Sequence, residues 1–167
     1  MAKREKTRKH KYDNRKNHAK HYPFSLCCVD FQHGNNLDLF VRAAASFGAR
    51  DVHVIDPTPH RKVLKNSSEG PYDYVQLISH SSSTEFLDYH QANKLKLVAA
   101  EIHPSAQPFT SYRFDFTSHV CLVVGGDQSG IPIEILNQSD IVHVPRPGVG
   151  LEPNSTQVAN ILLYEAV

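Results

Sequence analysis

The sequence predicts an α/β fold: a mostly parallel six-stranded sheet flanked by helices. Three observations lead there. From residue 24 onward, apolar runs of strand length alternate with segments of helical period. The runs FSLCCVDF and HVCLVVGG are continuous rather than alternating, as strands covered on both faces are. The length of 167 residues with 40% hydrophobic content suits one domain with a single core.

Taken in order, FSLCCVDF is the first strand, and NLDLFVRAAASFG follows as a helix with Asn36 as N-cap and Gly48 as its stop. RDVHVID is a second strand. After a polar loop around residues 67–72, YVQLI is a third, followed by the helix SSTEFLDYHQANK with a Ser/Thr cap. KLVAAEIH and HVCLVVGG are the fourth and fifth strands. IPIEILNQS is a short helix with Pro132 in its first turn, IVHVP the sixth strand, and residues 155–166 the closing helix, with Val158, Ile161, Leu162 and Tyr164 as its apolar set.

The segment before this domain is different in kind. Residues 1–22 hold nine of the 18 Lys and Arg against Glu5 and Asp13, a net +7 that leaves −6 on residues 23–167. With almost no aliphatic side chains the segment cannot offset the entropy of ordering itself, so it reads as a flexible basic arm suited to a polyanion. It lacks the apolar stretch of a secretory signal, and no run approaches the roughly 18 apolar residues of a membrane span. Three cysteines, two of them the adjacent Cys27 and Cys28 whose side chains point to opposite faces of a strand, imply free thiols and a reducing cytoplasm. The 11 scattered histidines show no metal-ligand spacing, and no metal is expected.

In a parallel sheet, ligands bind beyond the carboxyl ends of the strands. Three loops qualify. In the first, Asn36 and Arg42 stand at the start of a helix where N–H groups and the dipole favour an anion or a hydroxyl; equally, Asn36 caps the helix and Asp38 to Arg42 is an i,i+4 pair worth about 0.2–0.5 kcal/mol. In the second, CLVVGGDQSGIP, a buried strand breaks at Gly125 and Gly126, which permit close approach of a ligand to the backbone. That loop lacks the Lys and hydroxyl residue of a phosphate-binding P-loop. The third, VPRPGVGLEPNST, is a Pro- and Gly-rich turn into a helix capped by Asn154-Ser155-Thr156.

The order of the three loops resembles the SpoU/TrmH branch of the SPOUT methyltransferases from residue 24 to the end. In that family an Asn lies six residues before an Arg in a helix continuing RTAxAFG; here Asn36 precedes Arg42 in RAAASFG. The family's G-x-E-x-x-G-[LI] looks like Gly125-Gly126-Asp127-Gln128-Ser129-Gly130-Ile131. Its I-P-M-x-G and S-L-N-x-S look like Val144-Pro145-Arg146-Pro147-Gly148 and Glu152-Pro153-Asn154-Ser155-Thr156, ahead of ANILLYE. Asp127 stands where Glu is usual, Pro153 where Leu is usual and Asp38 where a small residue is common.

What this resemblance implies is a C-terminal trefoil knot, a rarity no periodicity can reveal. It further implies a homodimer that uses S-adenosyl-L-methionine to methylate a ribose 2′-hydroxyl of tRNA or rRNA. Asn36, Arg42 and Asn154 are then the catalytic candidates. Gly125, Gly126, Asp127, Val144, Pro145, Gly148, Pro153 and Ser155 are the cofactor-binding candidates. A protein that binds RNA on the same fold without turnover is the alternative.

Overall fold

The computed structural model describes residues 19–31, 34–55, 74–126, 129–150 and 153–167. Their strands are β1 Phe24–Val29, β2 Asp51–Ile55, β3 Gln76–His80, β4 Lys96–Ala100, β5 Gln107–Pro108, β6 Val120–Val124 and β7 Ser139–His143. They form one sheet in the order β3-β2-β1-β6-β4-β7-β5, with every neighbouring pair parallel. The helices are α1 Gly34–Phe47, α2 Ser83–Asn93, α3 Ile133–Leu136 and α4 Ser155–Ala166.

The expected six strands are corrected to seven. The additional β5 is two exposed residues held beside Val142 and His143, too short and too polar to leave a hydrophobic pattern, with its proline tolerated at the sheet edge. β3 lies two residues later than YVQLI implied, because an edge strand with most of its side chains exposed is placed by pairing Gln76 with Asp51 and not by apolar content. The short helix contracts to one turn with Pro132 as its N-cap, since β7 already begins at Ser139.

α1 opens at Gly34, so Asn36 lies inside its first turn and is not the N-cap. Gly34, Asn35 and Asn36 are all residue types that favour helix starts, and composition could not choose among them. Its other end was legible. Gly48 takes φ +77°, and the bonds from Ala49 N–H to the Ala44 carbonyl (2.9 Å) and from Gly48 N–H to the Ala45 carbonyl (3.4 Å) close a Schellman motif. The chain entering the domain lies against this turn: Tyr22 N–H donates to the Gly48 carbonyl at 3.0 Å, and a Cβ on Gly48 would come within 2.2 Å of the Lys20 carbonyl oxygen.

The core is divided by the sheet. On one face, Leu26, Cys28, Val52, Val54 and Leu122 pack against Leu37, Phe40, Val41 and Ala44 of α1 and Ala159, Leu162 and Leu163 of α4. On the other, Cys27, Val29, Leu97 and Val123 pack against Phe86 and Leu87 of α2 and Ile135 and Leu136 of α3. Cys27 and Cys28 therefore do face opposite ways. Each fully buried Leu or Phe contributes about 1.5–3 kcal/mol. On α4 the buried stripe runs Thr156, Ala159, Leu162, Leu163, which leaves Ile161 and Tyr164 of the expected apolar set exposed. The chain leaves β6 near the middle of the sheet, passes to β7 beyond β4 and returns to lay α4 on α1 and β6. A return of that kind is what the expected knot requires.

Candidate active site

A cleft of about 540 Å³ opens at the carboxyl ends of three adjacent strands. At the end of β4 come Ala100, Glu101 and Ile102; after β6, Gly125, Gly126 and Gly130; after β7, Val144 and Arg146; and the start of α4 closes the fourth side with Pro153, Asn154, Ser155 and Val158. The size lies within the roughly 300–1,000 Å³ of small-molecule sites, and the lining mixes apolar walls with a few polar groups as such sites do.

The glycines have a reason other than ligand approach. A Cβ on Gly125 would fall 2.4 Å from the Gly130 carbonyl carbon, and one on Gly126 would fall 2.6 Å from the Asp30 carbonyl oxygen. Here it is the chain itself that crowds the turn. Gly126 and Gly130 pair across it, with Gly130 N–H donating to the Gly126 carbonyl at 3.2 Å. Ser155 ties the turn to α4 through its hydroxyl, which donates to the Gly125 carbonyl at 2.6 Å.

A second hollow, about 480 Å³, lies between α1 and α4, and Asn36, Arg42, Asn154, Thr156, Gln157 and Asn160 are among its lining residues. It brings together the three catalytic candidates, and Asn154 lines both hollows. Asn154 is also the N-cap of α4: its side-chain oxygen accepts from Thr156 N–H at 2.9 Å while its own N–H donates to Gln157 Oε1 at 3.0 Å, a reciprocal capping box. Thr156, buried, donates its hydroxyl to the Asn36 carbonyl at 3.3 Å, so the first turns of the two helices are joined. Arg42 is half-exposed and paired with Asp38 at 3.0 Å, the i,i+4 contact its spacing foretold.

Of the cofactor-binding candidates, Gly125, Gly126, Val144, Pro153 and Ser155 line the cleft. Pro145 and Gly148 do not, and Gly148 stands with nothing within 4 Å of its Cβ position. Asp127 lies outside the described residues. Sequence reasoning missed Glu101, His143 and Arg146 in the cleft and Gln157 and Asn160 in the hollow. Glu101 carried a usable signal, a lone charge directly after an apolar parallel strand.

Another polar cluster begins at the amino ends of β1, β2 and β6 and runs along β2 to His80 at the carboxyl end of β3. Ser25, Asp51, His53 and His80 are buried together; the Ser25 hydroxyl donates to Asp51 and contacts His119 Nε2 at 2.6 Å, Arg50 meets Asp51 at 2.7 Å, and the His53 and His80 rings share a 2.9 Å hydrogen bond. His53 Nε2 is 3.2 Å from Asp51 Oδ1 but is not aligned as a hydrogen bond. Burial alone would raise the Asp51 carboxyl, and the groups around it outweigh that and hold it below the usual carboxylate range. Burial holds His80 and His119 below the ordinary imidazole value.

Comparison with known proteins identifies the family. The family model described as the SpoU rRNA Methylase family matches residues 23–164. The chain belongs to this family. A tRNA (guanosine(18)-2'-O)-methyltransferase of Escherichia coli (strain K12) is 23% identical over 150 residues, which cover 89% of this chain and 65% of that protein. The chain thus spans a little under two thirds of the length of that relative. The AdoMet-bound rRNA methyltransferase from Sinorhizobium meliloti superposes with a TM-score of 0.76 at 17% identity, covering 88% of this chain and 56% of that one. The SpoU methyltransferase AviRb from Streptomyces viridochromogenes, in complex with AdoMet, gives 0.72 at 22% identity, covering 87% and 57%. These likenesses show the fold. Among the described residues no helix is long and apolar enough to cross a membrane, and no three His, Cys, Asp or Glu side chains are grouped to hold a metal ion.

Proposed function

We propose that the chain is an S-adenosyl-L-methionine-dependent RNA methyltransferase acting on a ribose 2′-hydroxyl of tRNA or rRNA. One observation carries the reading: the cleft at the strand ends and the hollow holding Asn36 and Arg42 meet at Asn154. A cofactor in the first and a ribose in the second are then neighbours across one side chain.

The cleft suits the cofactor by its chemistry, with Ala100, Ile102, Val124 and Val158 as apolar walls, glycine backbone along one side and Glu101, Asn154 and Ser155 as polar partners. When bound, S-adenosylmethionine supplies an electrophilic methyl group. What remains for this chain is to orient the hydroxyl in line and assist loss of its proton. Arg42 orients the hydroxyl and the adjoining phosphate; a guanidinium stays protonated and cannot serve as the base. Asn36 and Asn154 flank it. Ser155 and the backbone of Gly125 and Gly126 hold the cofactor side, with Val144 and Pro153 opposite.

The same reading makes the chain a homodimer, supported by apolar surface left open beside the hollow: Leu39 of α1 and Ile161 and Tyr164 of α4. Residues 1–22 bind RNA phosphates, and the cytoplasm suits three cysteines that are all buried and outside any disulfide. A second reading, an RNA-binding protein of this fold without turnover, is favoured by Arg42 being turned to Asp38. Titration with S-adenosylmethionine, beside a tritiated-methyl assay on tRNA and rRNA, tests the first reading. Cofactor binding without methyl transfer to any host RNA would leave the second. Salt dependence tests the arm: removing residues 1–22 should flatten the fall of RNA affinity with salt.

A further inference from the structure

We propose that Glu101 is the positioning residue of the cleft, its carboxylate locking the glycine turn into the shape that receives the ligand; the ligand half of this inference rests on the cleft being the S-adenosylmethionine site. Glu101 directly follows β4 and lines the cleft. Its Oε1 accepts from Ile102 N–H at 2.9 Å and its Oε2 from Ile131 N–H at 3.1 Å. Its own N–H donates to the Val142 carbonyl at 3.0 Å, so one residue fastens β4, β7 and the far end of the turn after β6.

The fit is close. Gly130 sits at φ +63°, and a Cβ there would lie 3.1 Å from Glu101 Oε2, so the carboxylate comes as near to the turn as a residue without a side chain permits. Beyond the turn Ile131 is buried in the core, which gives the carboxylate a fixed point to hold. The other side of the turn is fastened by the Ser155 hydroxyl on the Gly125 carbonyl, so Gly125 and Ile131 are each tied to a neighbouring element. A charged acceptor makes hydrogen bonds roughly twice as strong as a neutral one. It is also needed twice over, because two N–H groups point at it. Gln in its place has one acceptor oxygen and would turn its amide donors toward one of those N–H groups. Asp, one methylene shorter, can keep the adjacent Ile102 but not reach Ile131.

The test uses the full chain and S-adenosylhomocysteine as probe. Glu101→Gln should weaken its binding about ten- to a hundred-fold, the loss of one hydrogen bond to a charged group, and should speed amide hydrogen exchange at Ile131 in the ligand-free protein. The KM for S-adenosylmethionine should rise by the same factor as the dissociation constant, with kcat changed by less. Glu101→Ala should exceed Gln in each readout, and if it fails to fold the isosteric Gln variant still decides. A Gln variant that lowers Tm but keeps wild-type affinity and wild-type exchange at Ile131 would overturn the inference and leave Glu101 a stabilising residue only. A wild-type chain that binds neither S-adenosylmethionine nor its demethylated product overturns the cofactor reading itself, and the ligand half of this inference with it.

Discussion

The two ends of the sheet carry similar chemical groups and do opposite things with them. Ser25, Asp51 and His119 at the amino ends of β1, β2 and β6, continued beneath α2 by His53 in mid-strand and His80 at the far end of β3, form a set that on composition alone would pass for a hydrolytic site. Yet the Ser25 side chain is completely buried and its hydroxyl is already shared between Asp51 and His119, so no substrate can reach it. At the carboxyl ends, Asn154, Ser155 and Arg42 are partly exposed and line open hollows. The lesson is that the identity of the side chains does not mark a site. What marks it is polar side chains that face open space, and in a parallel sheet that space lies where the strands end and the helices begin.

Removing Asp51 should break this contrast most severely. Asp51→Ala would leave the Ser25 hydroxyl and the Arg50 guanidinium without their shared acceptor, at a cost of about 3 kcal/mol. Denaturant unfolding measures it, and methyl transfer per folded molecule should stay at the wild-type level. A loss of turnover out of proportion to the loss of folded protein would mean that the amino end is coupled to the cleft.

Arg42→Ala should do the reverse. Turnover is expected to fall by about two orders of magnitude, while stability changes by no more than the few tenths of a kcal/mol of an exposed ion pair. Cofactor affinity should not move, because Arg42 lines only the second hollow. Normal methyl transfer in this variant would remove Arg42 from the chemistry. Asp38→Gly refines the point: if Asp38 holds Arg42 away from RNA, activity rises.

A pH titration sharpens the comparison from the buried cluster. His80 and His119 are held below the ordinary imidazole value first by burial, with His53 adding to the effect on His80 and Arg50 to that on His119. The unfolded chain therefore binds protons at a higher pH than the folded one. Stability from these groups is complete above about pH 6.5 and is lost as pH falls through the depressed folded values. Thermal unfolding followed from pH 8 downward should show the loss beginning near pH 6.5. His119→Asn should shrink it, and an unchanged profile in that variant would assign the effect elsewhere.

The smallest effect is expected at the tether between α4 and the glycine turn. Ser155→Ala removes the 2.6 Å bond to the Gly125 carbonyl, worth about 1 kcal/mol, so affinity for S-adenosylmethionine should fall about fivefold. Calorimetry reads it, and no change would show that the turn is held from the Glu101 side alone.

Much of this was legible before any coordinates. Leu37, Phe40, Val41 and Ala44 recur at the spacing of one helix face and are buried, and Gly48 ends that helix as its lack of a Cβ allows. The capped start of α4 was readable in Asn154-Ser155-Thr156, because a cap is a contact between residues two or three apart. Local chemistry of this kind is written in consecutive residues. The motif order that placed Asn36, Arg42 and Asn154 in one functional set was readable only as a resemblance, and the hollow between α1 and α4 supplies its spatial counterpart.

Other features could not be read, for one reason: they depend on residues far apart in sequence meeting in space. β5 exists because Gln107 and Pro108 happen to lie beside β7. Gly125 and Gly126 are required by the approach of Gly130 and Asp30, which no local pattern shows. Glu101 acts on Ile131, thirty residues on, through a turn whose end it meets only when β4 and β6 pair. The sequence by itself determined the α/β class, the alternation of elements, the buried face and glycine stop of α1 and the capped start of α4, since each follows from periodicity or near neighbours. Tertiary structure alone decided which polar groups were buried together and which were left facing a hollow, because that choice is made by the order in which the strands pair.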